Sequence, residues 1–249
     1  MRTHTMRNLA CLALLSSLAG CSGDDMGEVS LQLATRRVEP QASVQGAAAG
    51  QLVVALGSDE IVMDGVQIVL RKIRLDGAPT ASCPEDAEGD SGCAGLWLGP
   101  VVFDLPLDQG ADPVFTALVP VGTYQHLKFQ IHKPSNANGD ADLVAQHPEM
   151  ANTSIRVTGT YNGTPFTFAS DLTEVEDLTL PEAVEVAAEG ELPLTLHVDA
   201  AGWFVDGSGT GLVDPAQAND GGPFESLVEQ NIRAGFRAFH DADADAAAD

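Results

Sequence analysis

Acidic side chains offer the most suggestive chemistry in this chain. Near its end Asp241, Asp243, Asp245 and Asp249 repeat at the spacing with which a calcium loop presents its first oxygen ligands. Ala246 stands where such a loop carries its turn glycine, and no bidentate Glu follows, so the plain alternative is a solvated tail. Asn136, Asn138, Asp140 and Asp142 place further oxygen-bearing side chains in one short stretch, although Asn, Asp and Gly also fill ordinary polar turns. Calcium is thus the one cofactor these residues suggest; otherwise none is expected. His126 and His132 fall on the polar side of one predicted strand, where six residues span about 20 Å, too far to share a metal. His147 or His197 joins them only if the fold brings them together, and isolated surface histidines are the simpler expectation.

Catalytic signatures are missing from the sequence. There is no Gly-x-Ser-x-Gly elbow, no His-Glu-x-x-His helix and no phosphate-binding lysine loop. Gly207-Ser-Gly-Thr-Gly211 reads as a turn, and Glu174 with Glu176 is too ordinary a pair in so acidic a chain to nominate a glycosidase. Trp97 and Trp203 are expected as core anchors. No enzyme is expected.

The cysteines point to location. Residues 1–20 combine Arg2 and Arg7, an apolar run from Leu9 to Leu18 and small residues before a cleavage point, the make-up of a secretory signal. The run is shorter than the ~20 residues a spanning helix needs. Leu18-Ala19-Gly20-Cys21 resembles the lipobox of bacterial lipoproteins, which implies that Cys21 becomes the lipidated first residue, carrying a diacylglycerol and an N-acyl chain such as palmitate. The expected partner is therefore the lipid bilayer, reached through Cys21. Ser22, where Asp would favour inner-membrane retention, makes the outer membrane the expected location. Cys83 and Cys93 remain, flanking Pro-Glu-Asp-Ala-Glu-Gly-Asp-Ser-Gly. In an oxidising envelope such a pair reads as a disulfide, worth on the order of 2–3 kcal/mol of removed unfolded-state freedom.

With the signal gone, ten basic residues face 36 acidic ones. A chain this acidic repels nucleic acid and anionic lipid. An envelope protein or a glycan is the remaining kind of partner. The apolar fraction of 44% falls in patterned runs rather than in the sparse pattern of a disordered chain.

The elements that position these groups are mostly strands. Leu52–Leu56, Val66 to Leu75, Val101–Leu105, Val114–Val119 and the alternation of Leu127, Phe129 and Ile131 all carry strand patterns. Ile73 and Leu75 are out of phase with Val66, Ile68 and Leu70, which places a bulge near Arg71-Lys72. Asn162-Gly163 between Ile155/Val157 and Phe166/Phe168 signals a tight hairpin. Leu192, Leu194, Leu196 and Val198 form the cleanest strand, with Pro193 at an edge or a strand start. Leu227, Val228, Ile232, Phe236 and Phe239 suit one helical face, with a final strand as the rival. The expected fold is mainly β: an antiparallel β-sandwich, immunoglobulin-like or prealbumin-like, with a short C-terminal helix. The expected layout is a signal over 1–20, a lipid-anchored tether with an early strand over 21–50, the sandwich over 51–200, a loop and helix over 201–239, and an acidic tail over 240–249.

Two resemblances follow from these residues. Val66–Leu75, the Val-Phe-Asp-Leu stretch at 102–105 and Val119-Pro-Val-Gly-Thr-Tyr-Gln-His-Leu-Lys-Phe-Gln-Ile131 resemble uncharacterised bacterial lipoproteins built on an immunoglobulin-like domain of unknown function. That likeness implies a fold and an envelope location. Val119–Pro134, with Gly-Thr-Tyr, Leu-x-Phe and Lys-Pro-Ser-Asn, is also similar to periplasmic copper-binding proteins associated with methanobactin uptake. No Asn-His pair follows Pro134, and Ser154–Thr160 replaces the tryptophan-rich stretch, so no copper ligands carry over. The expected role is a non-enzymatic binding or structural module of the outer membrane. Envelope metal binding by calcium or copper, or a hydrolase site assembled only in three dimensions, are the alternatives.

Overall fold

The computed structural model describes residues 25–35, 50–77, 93–97, 99–107, 111–243, 245 and 247–248. Cys21, Cys83 and Asp249 lie outside them. The described chain is mainly β, in two sheets packed as a sandwich around one core.

The smaller sheet has the order β12-β11-β1-β6, with β1 Met26–Thr35, β6 Ala111–Pro120, β11 Glu191–Val198 and β12 Phe236–His240. β1 enters as a central strand, so the early strand expected within 21–50 is present and belongs to the sandwich that was expected over 51–200. Val29, Leu31 and Leu33 are buried in the core, which is why this stretch joins the sandwich. β1 runs parallel to β11, the one departure from the expected antiparallel pairing among the described strands. β11 is not an edge either, since β1 and β12 flank it. Pro193 is tolerated because β12 pairs only from Leu194 onward, leaving no ladder where the missing N–H would point.

The larger sheet is organised on β3 Asp59–Asp76, whose two edges recruit different partners along its length. β2 Leu52–Leu56, β5 Val101–Asp104 and β4 Cys93–Trp97 follow one another on one edge. β8 Ile155–Tyr161 and then β7 Gly122–Ile131 take the other, extended by β9 Thr164–Ser170 and β10 Glu174–Val186 respectively. Two bulges let one strand do this. The expected one near Arg71-Lys72 is present: the register shifts between Arg71 and Arg74, and Lys72 adopts a positive φ of 53°. A second lies between Met63 and Gly65. Opposite it, any Cβ on Gly159 would run into the Val62 carbonyl, so only glycine fits there.

Leu127, Phe129, Ile131, Leu194, Leu196 and Val198 are all buried as expected. Phe129 meets Phe236 across the sheets, edge to face at 5.3 Å. Asn162 and Gly163 both take positive φ, 49° and 76°, the turn required by the β8–β9 hairpin. The Tyr124 hydroxyl donates to the Pro120 carbonyl at 2.7 Å, pinning the corner where β6 turns into β7. The C-terminal helix, α2 Glu225–Ala234, is shorter than its apolar pattern implied. Gly235 ends it, and Phe236 and Phe239 belong to β12, so the helical and strand readings each describe half of this segment. Trp203 is fully buried, whereas Trp97 is 43% exposed and tilts against Phe115, correcting its assignment to the core.

Candidate functional site

The acidic tail is not the free, solvated end that was expected. Asp241 follows directly on β12 and is fully buried. Thr195 on β11 donates its hydroxyl to Asp241 Oδ2 at 2.8 Å, and the Asp245 N–H reaches Asp241 Oδ1 at 3.2 Å. The chain therefore folds back on itself, and one oxygen each of Asp241, Asp243 and Asp245 lies within 4.8 Å of the others. Asp243 and Asp245 are exposed. Three converging carboxylates form an all-oxygen donor set, which suits a hard cation such as calcium and does not suit copper.

The 136–142 stretch divides instead of converging. It sits in an insertion that leaves and rejoins β3 at Val69, where the His132 N–H meets the Val69 carbonyl and the Val69 N–H meets the Ser154 carbonyl. Asn136 and Asn138 form a 3-10 turn, and Asp142 stands exposed on the short helix α1 Ala141–Gln146. Asp140 turns inward. Its Oδ2 accepts from the Ser135 N–H at 3.0 Å and lies 2.9 Å from His132 Nε2. His132 was expected on the wet face and is buried instead, because the insertion folds over the end of its strand. Burial holds its imidazole below the ordinary value against the pull of Asp140, and Arg71 adds to the depression.

The remaining histidines engage separate groups. His126 Nδ1 lies 2.8 Å from Asp177, His147 Nδ1 lies 3.4 Å from Glu149, and His197 is buried with its ring against Phe239. Glu174 pairs with Arg233 at 3.2 Å. Glu176 keeps Oε1 buried without a hydrogen-bond partner, and its carboxyl is pushed up by desolvation and by Glu174. Gly207–Gly211 is a turn, as expected, organised by Asp206 Oδ1 accepting from Ser208 and Thr210 N–H groups.

One feature escaped sequence reading. The outer face of β3, β7 and β10 is assembled in rows: Arg71 beside Gln130 and Val175, Arg74 beside Lys128 and Asp177, Asp76 beside His126 and Thr179. Lys72, in the bulge, lines the same place. Buried Asp76 pairs with Arg74 at 3.0 Å and with Lys128 at 2.9 Å, while Lys128 also reaches Asp177 at 3.1 Å. Lys128 keeps only 25% of its side chain exposed, which follows from these bonds. The run Arg71-Lys72-x-Arg74 was the available signal, but only the strand register brings Lys128 to it.

No family model, no curated protein and no solved structure matches this chain. Among the described residues, no helix is long and apolar enough to cross a membrane.

Proposed function

We propose that this chain is a lipid-anchored protein of the cell envelope, acting as a non-enzymatic binding or structural β-sandwich module at the outer membrane. The observation that carries this reading is Leu18-Ala19-Gly20-Cys21 after a basic head and a short apolar run. The start of β1 at Met26 sharpens it. Residues 22–25 span at most about 14 Å, so a lipidated Cys21 holds the sandwich against the bilayer surface instead of on a long leash. Cys83 and Cys93 form a disulfide in this reading; β4, which begins at Cys93, pairs with the end of β3 and supplies a fixed anchor for one side of that loop. Cys21→Ala should abolish partitioning into detergent. A mature N-terminus other than a modified Cys21 in the mass spectrum would overturn the assignment.

A second reading, calcium binding, is favoured by the convergence of Asp241, Asp243 and Asp245. Three carboxylates leave most of calcium's six to eight oxygen positions to water, which suits the weak affinities of about 10⁻⁴–10⁻³ M of extracellular modules. Calorimetric titration of the protein should show calcium binding in that range, lost in Asp243→Asn. Absence of heat at millimolar calcium would exclude it.

A further inference from the structure

We infer that the corner of the smaller sheet where β1 begins and β6 ends is a membrane-contact surface, which lays Met26, Leu118 and Val121 on a bilayer of neutral headgroups. This surface depends on the lipidation of Cys21 proposed above and adds to it the side of the sandwich that meets the lipid.

The place where the chain enters the sandwich fixes the location. The Val121 N–H donates to the Asp25 carbonyl at 2.8 Å, and Met26 lies opposite Pro120. The entering strand is thus pinned against the turn from β6 into β7. From Cys21 to Asp25 the backbone reaches at most about 14 Å, so a lipid inserted through Cys21 keeps this corner close to the headgroups. The opposite end of the molecule is far off. Asp76 of β3 lies beside His126 of β7, Ile61 lies beside Tyr161 of β8, and the strand between Ile61 and Asp76 spans roughly 45–50 Å.

The side chains at this corner are apolar and uncovered. Leu118 is 66% exposed, Val121 42% and Met26 41%. Met26 pairs with Pro120 and Glu28 with Leu118, so Met26, Leu118 and Pro120 share the outer face, with Met26 and Leu118 as diagonal neighbours. Val29 and Val119 already fill the inward positions, so packing of the core does not account for apolar residues on the outer side. A Cβ on Gly27 would strike the Ala187 carbonyl, which sets the loop after β10 against the same corner and adds exposed Ala187 and Ala188 to it. One exposed leucine is ordinary, whereas a group of apolar side chains gathered where a lipid joins the chain is placed for the bilayer to cover.

Charge selects the occupant. Residues 25–28, 118–123 and 187–191 include Asp25, Glu28, Glu189 and Glu191 and no lysine or arginine. Those acids repel anionic headgroups and leave burial of apolar surface as the attraction, which suits a zwitterionic bilayer. A second copy of this chain is the competing occupant, because β6 is the edge of its sheet. Pro113 and Pro120 within β6 and the exposed Asp112 oppose edge-to-edge pairing and favour the lipid.

The test places a tryptophan at the corner of the full-length protein, reconstituted in phosphatidylcholine and phosphatidylethanolamine vesicles whose acyl chains carry bromine as a quencher. Trp97 and Trp203 of the parent set the baseline emission. Leu118→Trp should add emission of which about half is lost to the brominated chains, as for a side chain seated at the boundary of headgroups and acyl chains. Thr164→Trp, exposed in the β8–β9 hairpin at the far end, should add emission that the brominated lipid leaves intact. Met26→Glu combined with Leu118→Trp should recover most of the quenched emission, and phosphatidylglycerol in the vesicles should weaken the quenching. The surface is refuted if Leu118→Trp is quenched no more than Thr164→Trp while the protein floats with the vesicles, a result that leaves the lipid anchor standing. It is also refuted if Met26→Glu changes nothing, or if phosphatidylglycerol deepens the quenching. Protein with an unmodified Cys21 that stays behind when the vesicles float overturns anchor and surface together. Emission of Leu118→Trp that shifts with protein concentration in detergent, without quenching in vesicles, assigns the corner to a second copy instead.

Discussion

Asp76 and Asp241 are both buried carboxylates at the outer side of a sheet, and they are satisfied in opposite ways. Asp76, on the larger sheet, lies between two cations, Arg74 and Lys128. Asp241, over the smaller sheet, has the neutral hydroxyl of Thr195 and a backbone N–H, with Asp243 and Asp245 crowding from the same tail. An acid-rich chain thus balances one buried charge with its scarce bases and gathers further acid around the other. The first arrangement neutralises a buried carboxylate within the sheet; the second draws carboxylates together beyond the end of one.

The largest effect expected from this contrast is on stability. Asp76→Ala removes the buried carboxylate that Arg74 and Lys128 share and should cost about 3 kcal/mol, as when one partner of a buried ion pair is removed. Asp241→Asn keeps an acceptor for Thr195 and relieves the crowding of like charges, so it should change stability by less than about 1 kcal/mol in calcium-free buffer. Urea unfolding of both variants measures the difference. Equal losses would mean that the two surroundings are electrostatically alike, and the contrast would collapse.

A smaller effect of opposite sign is expected at the bulge. Lys72→Gly should stabilise the protein by about 1 kcal/mol, the left-handed penalty of a side chain bearing Cβ. Unfolding midpoints at matched ionic strength decide it. A destabilised variant would show that the Lys72 side chain contributes more to the fold than its backbone costs.

The two faces also differ in how far the sequence disclosed them. Strand periodicity disclosed β7, β8, β9 and β11, and the phase change after Leu70 located the bulge, because local alternation and positive-φ chemistry are properties of short segments. β10 carried no such signal. Its Glu-Val-Glu-Asp-Leu-Thr-Leu alternates weakly, since an edge strand buries little on one side. The rows Arg71–Gln130–Val175 and Arg74–Lys128–Asp177 depend on register between segments at least 45 positions apart, which no local pattern encodes. The tail shows the converse. Its Asp spacing was plain, but its anchoring was not, because Thr195 reads as one more residue of a strand until Asp241 is placed over it. His132 was misplaced for the same reason: alternation set its side of the sheet correctly, while the insertion carrying Asp140 decided that this side is covered.

His132 gives the contrast a pH dependence. Its folded-state pKa is depressed below the ordinary value near 6.5, chiefly by burial, so the unfolded chain binds a proton more readily than the native protein. The stability tied to neutral His132 is therefore complete above pH 6.5 and falls away as pH drops below it. His132→Gln should flatten the loss of Tm between pH 7 and pH 5. A parent and variant that lose Tm in parallel over that range would assign the acid sensitivity to carboxylates elsewhere.

Glu176 supplies the smallest effect and the cleanest sign. It sits on β10 one position before Asp177, yet its Oε1 is buried without a partner, and no cation offsets it fully: Arg233 opposes the desolvation and the repulsion of Glu174 only in part. Its folded-state pKa is raised, so ionisation costs the native state more than the unfolded chain, and the penalty appears as pH rises above the ordinary value of 4.5. Glu176→Gln keeps the shape and removes the charge. It should raise Tm slightly at pH 8 and leave it unchanged at pH 3, where the carboxyl is protonated in both states. A variant that is less stable at pH 8 would mean that Glu176 has a charged partner in the native protein.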